Sequence, residues 1–145
     1  MNNSFLEGSL GFNIYRAELL FRRESLNALS RYDMTPEQWS VLSTLLQSDK
    51  PLSQQDIANR VLKDKHTTSR IIKRLERDGW IIKKTDKKDK RSFLLQPTKA
   101  SKKLKMVIPA ILTKHFSPFY SHFTDTEYQH LLTYLKKIRT IFGDP

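Results

Sequence analysis

The chain has 145 residues, no cysteine, and 26 Lys plus Arg against 15 Asp plus Glu, a net charge of +11 at neutral pH. That length supports a single domain with a sizeable core, and without thiols there can be no disulfide, thiolate metal site or cysteine redox switch. The charge favours a polyanionic partner, nucleic acid before membrane; no apolar run reaches the length of a membrane span and the opening MNNSFLEGSLGF lacks a signal-peptide pattern, so a cytoplasmic location is expected.

From Leu10 to Leu29 the apolar residues fall on two helical stripes. Leu10, Ile14, Ala17, Phe21 and Ala28 form one, and Phe12, Tyr15, Leu19, Leu26 and Leu29 the other. Two stripes predict a helix covered from both sides, by its own fold or by a second subunit. The next helix announces its start. Thr35 is a cap, Pro36 suits the first helical position, Gln38 completes a capping box, and Met34 with Trp39 forms a hydrophobic staple. Trp39, Leu42, Leu45 and Leu46 make its apolar face, and SDKP (48–51) ends it. Ser53 with Asp56 opens a short helix with Ile57, Ala58 and Val61 inward.

Asp64 is placed to cap a third helix, KHTTSRIIKRLERD, which stops at Gly79. At 100° per residue, Thr68, Ile71, Ile72 and Leu75 share one side, and His66, Ser69, Arg70, Lys73 and Arg77 the other. A charged ridge alone is commonly a solvated helix face. A short helix, a tight turn and a second helix with such a face fit a helix-turn-helix, whose second helix enters the major groove. On that reading Lys65, His66, Thr67, Ser69, Arg70, Lys73 and Arg74 are candidate DNA contacts, since hydroxyls and long cations read base edges and phosphates.

WIIKKT (80–85) and SFLLQ (92–96) read as two strands, and the residues 86–91 between them are all charged. Such a hairpin after a recognition helix is a wing, which adds Lys87, Lys88, Asp89, Lys90 and Arg91 to the candidate DNA contacts. The lysines would attract phosphates, and Asp89 is close enough in sequence to orient the Arg91 guanidinium toward a narrow minor groove.

After Thr98, a cap, the run Leu104, Ile108, Ile111, Leu112, Phe116 and Phe119 is helical, with Pro109 and Pro118 expected to kink or split it. TDTE (124–127) opens the last helix, which presents Tyr128, Leu131, Leu132, Leu135, Ile138 and Phe142. The termini carry more apolar surface than a DNA-reading lobe of this size needs, and an oligomer follows.

From about Leu52 to Ser101 the sequence resembles the winged helix-turn-helix core of MarR-family transcriptional regulators. The resemblance lies in SQQDIA (53–58), LERDGWI (75–81), Asp86, Asp89 and Arg91 of the wing, and QPT ending at Thr98. Thr68, the basic turn VLKDK, Pro97 and Ser101 depart from the family pattern. The resemblance implies a mainly α fold with a small β-wing. Within one domain spanning 1–145, residues 35–98 form the reading lobe, and 1–34 and 99–145 the dimerisation helices. It further implies a homodimer that binds a pseudo-palindromic double-stranded DNA operator, with a repressor role relieved by a small aromatic or phenolic effector. Phe12, Tyr15, Arg16 and Trp39 correspond to the effector wall, although each also has a plain core or surface reading.

Other classes fit less well. No GxSxG, GxGxxG, P-loop or HExxH occurs, so enzymatic activity and a cofactor are not expected. Asp86 and Asp89 among lysines would stay ionised, unlike a general acid. His115, His122 and His130 lack the i, i+4 spacing of a helical zinc site, and no metal is expected. The rival from another class is a winged-helix module that binds nucleic acid without sequence preference, as an architectural or RNA-associated protein. Preference for its own promoter over random DNA separates the two.

Overall fold

A computed structural model describes residues 4–144 of the chain. The first three residues of the expected N-terminal segment 1–34, and Pro145, lie outside the described residues. The chain forms two compact units, 1–111 and 112–145.

In the first unit a short helix α1 (Ser4–Glu7) precedes the long α2 (Leu10–Leu29), whose first turn is capped by the Ser9 hydroxyl. A 3-10 turn, Ser30–Tyr32, leads to α3 (Pro36–Leu46). The Thr35 capping box is formed in both directions: Gln38 N donates to Thr35 Oγ1 at 3.1 Å, and Thr35 N to Gln38 Oε1 at 2.8 Å. The buried face of α3 is Gln38, Val41, Leu42, Leu45 and Leu46. Trp39, expected on that face, is only half-buried, and Val41 takes the inner position.

A two-residue strand β1 (Leu52–Ser53) comes next, then α4 (Gln54–Val61), capped by Ser53, and α5 (Lys65–Arg77), capped by Asp64. Gly79 ends α5 at φ +80°, where Gly79 N donates to Glu76 O and Trp80 N to Leu75 O. That pair of bonds is a Schellman motif, which explains the glycine. The hairpin strands are β2 (Ile81–Thr85) and β3 (Phe93–Pro97), and the sheet order is β1-β3-β2, antiparallel throughout. β1 was not expected from sequence; it adds Leu52 opposite Leu95 and Ser53 opposite Leu94.

Leu29, Val41, Leu42, Leu45, Leu52, Ile57, Ile72, Leu75, Ile81 and Leu95 form the buried core beneath these elements. Thr68 is fully buried where an aliphatic residue would be usual, and its hydroxyl donates to Asp64 O at 2.8 Å, so no polar group is stranded. Thr98 closes the lobe. Its hydroxyl donates to Gly79 O at 2.8 Å, which ties the exit of β3 to the end of α5. Ser101, also fully buried, donates to Thr98 O at 2.8 Å within the short α6 (Lys99–Lys102). Pro97 costs β3 little, because pairing with β1 stops at Leu95.

The helix α7 (Leu104–Tyr120) runs without a break through Pro109 and Pro118, so of the expected kink or split, the split does not occur. A proline removes one N–H bond, and Ile108, fully buried beside the first of them, anchors that part of the helix. In the second unit, Phe116, Phe119, Tyr120, Phe123 and Tyr128 form a chain of tilted and edge-on ring contacts between α7 and α8 (Asp125–Ile141). α8 starts with a complete Thr124–Glu127 capping box.

Both stripes of α2 lie largely open in the single chain: Leu10 is 66% and Tyr15 59% exposed. Leu131, Tyr134, Leu135 and Ile141 of α8 and Phe142, its C-cap, are exposed as well.

Candidate nucleic-acid interface

α4 and α5 meet through an eventful turn. Leu62 adopts the left-handed conformation, φ 53° and ψ 47°, and ends α4. Asp64 then accepts Thr67 N at 2.8 Å and the Thr67 hydroxyl at 2.7 Å, and these bonds hold the Asp64 carboxyl below its ordinary pKa. Thr67 is therefore spent on the cap. Gln54 Nε2 donates to Lys65 O at 3.3 Å, which fixes the start of α4 against the start of α5.

Thr68, Ile72 and Leu75 anchor α5 in the core, and its opposite side is open. Lys65, His66, Arg70 and Lys73 are exposed, and none makes an ion pair among the described residues. Arg74 differs. Its Nη2 lies 2.7 Å from Asp33 Oδ2 and its Nε 2.8 Å from Asp78 Oδ2. The Asp78 hydrogen bond and charge, with a further contribution from Asp33, hold the guanidinium firmly protonated.

The wing tip is organised by its two aspartates, in a way the sequence did not indicate. Asp86 Oδ1 accepts Lys88 N at 2.9 Å, and Asp89 Oδ1 accepts Arg91 N at 3.0 Å. Asp89 thus holds the backbone of Arg91, where its guanidinium had been the expected partner. Side chains of this length close their own turns through the amide two residues on. Ser92 N donates to Asp89 O and Asp86 N to Ser92 O, so the loop is tied across its base.

Between α5 and the wing lies an open cleft of about 560 Å³. It brings together Lys65 and Ser69 of α5 with Arg91 of the wing, and its remaining lining includes Gln54, Gln55, Lys83, Ser92 and Phe93. No carboxylate lines it. Sequence reasoning missed Gln54, Gln55, Lys83 and Phe93, which reach the cleft only through the tertiary arrangement. A smaller hollow, about 280 Å³, lies on the other flank of α5, where Thr67, Arg70 and Arg74 face Thr35, Glu37 and Gln38 of the α3 end.

Of the expected effector wall, Arg16 stacks on Phe12 with 5.7 Å from guanidinium carbon to ring centroid. Tyr15 is exposed and Trp39 half-buried. Close by in sequence to Trp39, Arg22 of α2 forks onto Glu37 of α3, with Nε to Oε1 at 2.7 Å and Nη2 to Oε2 at 3.3 Å. The described residues contain no cluster of three or more metal-ligating side chains and no helix long and apolar enough to cross a membrane.

Residues 32–92, from the turn before α3 to the wing, match the MarR family model. That stretch of the chain is similar to the MarR family. The match covers α3 to α5, β2 and the wing loop up to Ser92, and stops just before Phe93 and Leu95 of β3, which also line the cleft. Over 119 residues the chain is 27% identical to the HTH-type transcriptional regulator SarZ of Staphylococcus aureus, covering 82% of this chain and 80% of SarZ. The likeness of fold to solved structures extends beyond the matched segment. The S. aureus MepR–DNA complex superposes with a TM-score of 0.81 at 23% identity, covering 91% of this chain and 97% of MepR. The transcriptional repressor CouR bound to a 23-mer DNA duplex gives 0.86 at 23% identity, covering 95% and 97%. CouR of Rhodococcus jostii bound to p-coumaroyl-CoA gives 0.79 at 20% identity, covering 92% and 93%.

Proposed function

We propose that this protein is a homodimeric, sequence-specific regulator of transcription, of the MarR family, that binds double-stranded DNA through α5 and the wing. The carrying observation is the cleft: cations of α5 and of the wing meet across it, and no acid lines it. On this reading Arg70 and Ser69 read base edges in the major groove, while Lys65, His66 and Lys73 hold phosphates. Lys87, Lys88 and Lys90 attract the backbone around Arg91, which enters the adjacent minor groove. Thr67 and Arg74 are engaged within the chain, so their roles are to set the start and the end of α5. MepR and CouR, both solved with DNA, support the reading by their shared fold.

The exposed apolar residues of α2 and α8 support a dimer, because an uncovered set of this size is unusual on a monomer. Residues 1–34 and 99–145 would then supply the interface, and the two reading lobes would meet two half-sites of a pseudo-palindrome. Such a protein acts in the cytoplasm. CouR was solved with p-coumaroyl-CoA, which supports control by an aromatic effector, a role in which Phe12, Tyr15, Arg16 and Trp39 are the wall proposed. The repressor role is supported by the likeness to CouR, described as a transcriptional repressor in its complex with DNA.

Sedimentation of the intact chain at micromolar concentration, with and without a duplex from the DNA flanking its gene, tests both parts. A dimer that binds as one dimer per duplex is expected. A folded monomer, or a dimer that leaves the duplex free, contradicts the proposal.

A further inference from the structure

The inner face of the hairpin continues past the edge of the core. Ile81 and Leu95 are buried, but the same face runs on through Lys83 to Thr85 and Phe93, beyond the cover of the helices. Phe93 is 55% exposed, and its ring forms part of the cleft beside Arg91, opposite Lys65 and Ser69. Lys83 Nζ sits 5.3 Å from the ring centroid and 3.8 Å from Glu76 Oε1, so its ammonium is held over the ring. Electrostatic attraction to DNA does not call for a phenyl group here. A strand of nucleic acid offers two kinds of surface in alternation, charged phosphate and largely apolar sugar, and the cleft presents cations with one aromatic face among them.

We propose that Phe93 packs against a deoxyribose of the DNA strand that crosses the cleft between α5 and the wing, with Lys65 and Lys83 on the flanking phosphates. The inference rests on the DNA-binding reading above and adds a sequence-independent apolar contact to it. A helix in the major groove and a wing in the neighbouring minor groove must straddle one sugar-phosphate strand, and the cleft is the space between them. Lysines lay down charge there at any register. A ring that fits a sugar face sets how far the strand enters.

An apolar contact releases no counterions, whereas each phosphate contact does, and this separates Phe93 from its neighbours. Binding is measured by fluorescence anisotropy at several salt concentrations, on a duplex from the gene's flanking DNA and on a mixed-sequence duplex of the same length. Phe93→Ala is expected to weaken binding about five- to tenfold on both duplexes, the loss from uncovering part of a phenyl group. The slope of log affinity against log salt should stay at the wild-type value, and Phe93→Leu should recover most of the loss. Lys83→Ala should lower the slope by about one. Since Phe93 is half-exposed, both variants should keep the wild-type thermal midpoint within a few degrees. Wild-type affinity in Phe93→Ala would overturn the proposal and reduce the ring to a support for Lys83, as would a loss confined to one duplex. If Lys73→Ala weakens binding while Phe93→Ala does not, the DNA-binding reading stands and only this inference falls; if the wild-type chain binds neither duplex, both fall.

Discussion

Arg74 Nη2 lies 2.7 Å from Asp33 Oδ2, joining the last turn of α5 to the turn that follows α2, across 41 residues of sequence. Asp33 itself holds a left-handed conformation, φ 47°, as the cap of the 3-10 turn. The same guanidinium meets Asp78, the C-cap of α5. An arginine with two carboxylate partners is a poor phosphate clamp, because binding DNA would mean giving up one of them. Arg74→Ala is therefore expected to leave the salt slope of DNA binding unchanged, whereas Lys73→Ala lowers it by about one. A slope reduced equally by both substitutions would place Arg74 on the DNA.

Acid should act on the other tie between α2 and the lobe. Burial pushes the Glu37 carboxyl up, but the hydrogen bond from Arg22, the Glu37 backbone N–H and the Arg22 charge outweigh it, and the net shift is downward. A carboxylate whose pKa is depressed in the folded state stabilises that state above its unfolded value, about 4.3, and loses this as pH falls through the folded value. Arg22 is 40% exposed, so solvent screening keeps the contribution to about 0.2–1 kcal/mol at neutral pH. Urea unfolding of wild type and Glu37→Gln should show that gap near pH 7 and a gap that narrows steadily as the pH falls below the unfolded value. A gap that persists in acid would mean that Glu37 acts through packing rather than charge.

Leu62 offers a test of backbone strain. A left-handed conformation costs a residue with a Cβ about 1–2 kcal/mol, and the side chain, 74% exposed, recovers little by burial. Leu62→Gly removes the strain but raises the entropy of the unfolded chain, which offsets about 0.5–1 kcal/mol. A net gain of about 0.5 kcal/mol in urea unfolding is expected. Destabilisation by 1 kcal/mol or more would show that the leucine makes a contact worth more than the strain.

The cap chemistry was legible in sequence because it is local. Thr35 with Gln38, Ser53 with Asp56, Asp64 before α5, Gly79 after it, and Thr124 with Glu127 each place donor and acceptor within five residues. The winged layout followed from their order. β1 did not, since two residues show no periodicity and Leu52 becomes a strand only by meeting Leu95. The inner face of α3 was misjudged at Trp39 because a large ring looks like core in any count of apolar positions. At the site, the outward ridge of α5 was readable from helical spacing. The engagement of Arg74 by Asp33 and the arrival of Phe93 and Gln54 at the cleft depend on chain folding over tens of residues, which no local pattern encodes.

The wing aspartates give a prediction at the level of single amides. Asp89 Oδ1 accepts Arg91 N, an interaction an amide oxygen can replace. Asp89→Asn should keep the exchange rate of the Arg91 amide near wild type, and Asp89→Ala should raise it several-fold. Hydrogen exchange followed by NMR reads this directly. Equal rates in all three proteins would show that the tip is held by Ser92 and Asp86 alone.

The central claim is that this chain recognises a DNA sequence rather than DNA in general. It is tested by comparing affinity for the DNA flanking its own gene with affinity for random duplex of equal length at physiological salt. A preference of about a thousandfold or more is expected, shrinking when Arg70 is replaced by Ala because a base contact worth about 1–3 kcal/mol is lost. Equal affinity for the two duplexes, with Arg70→Ala weakening both alike, would contradict it and make the protein a non-specific winged-helix binder.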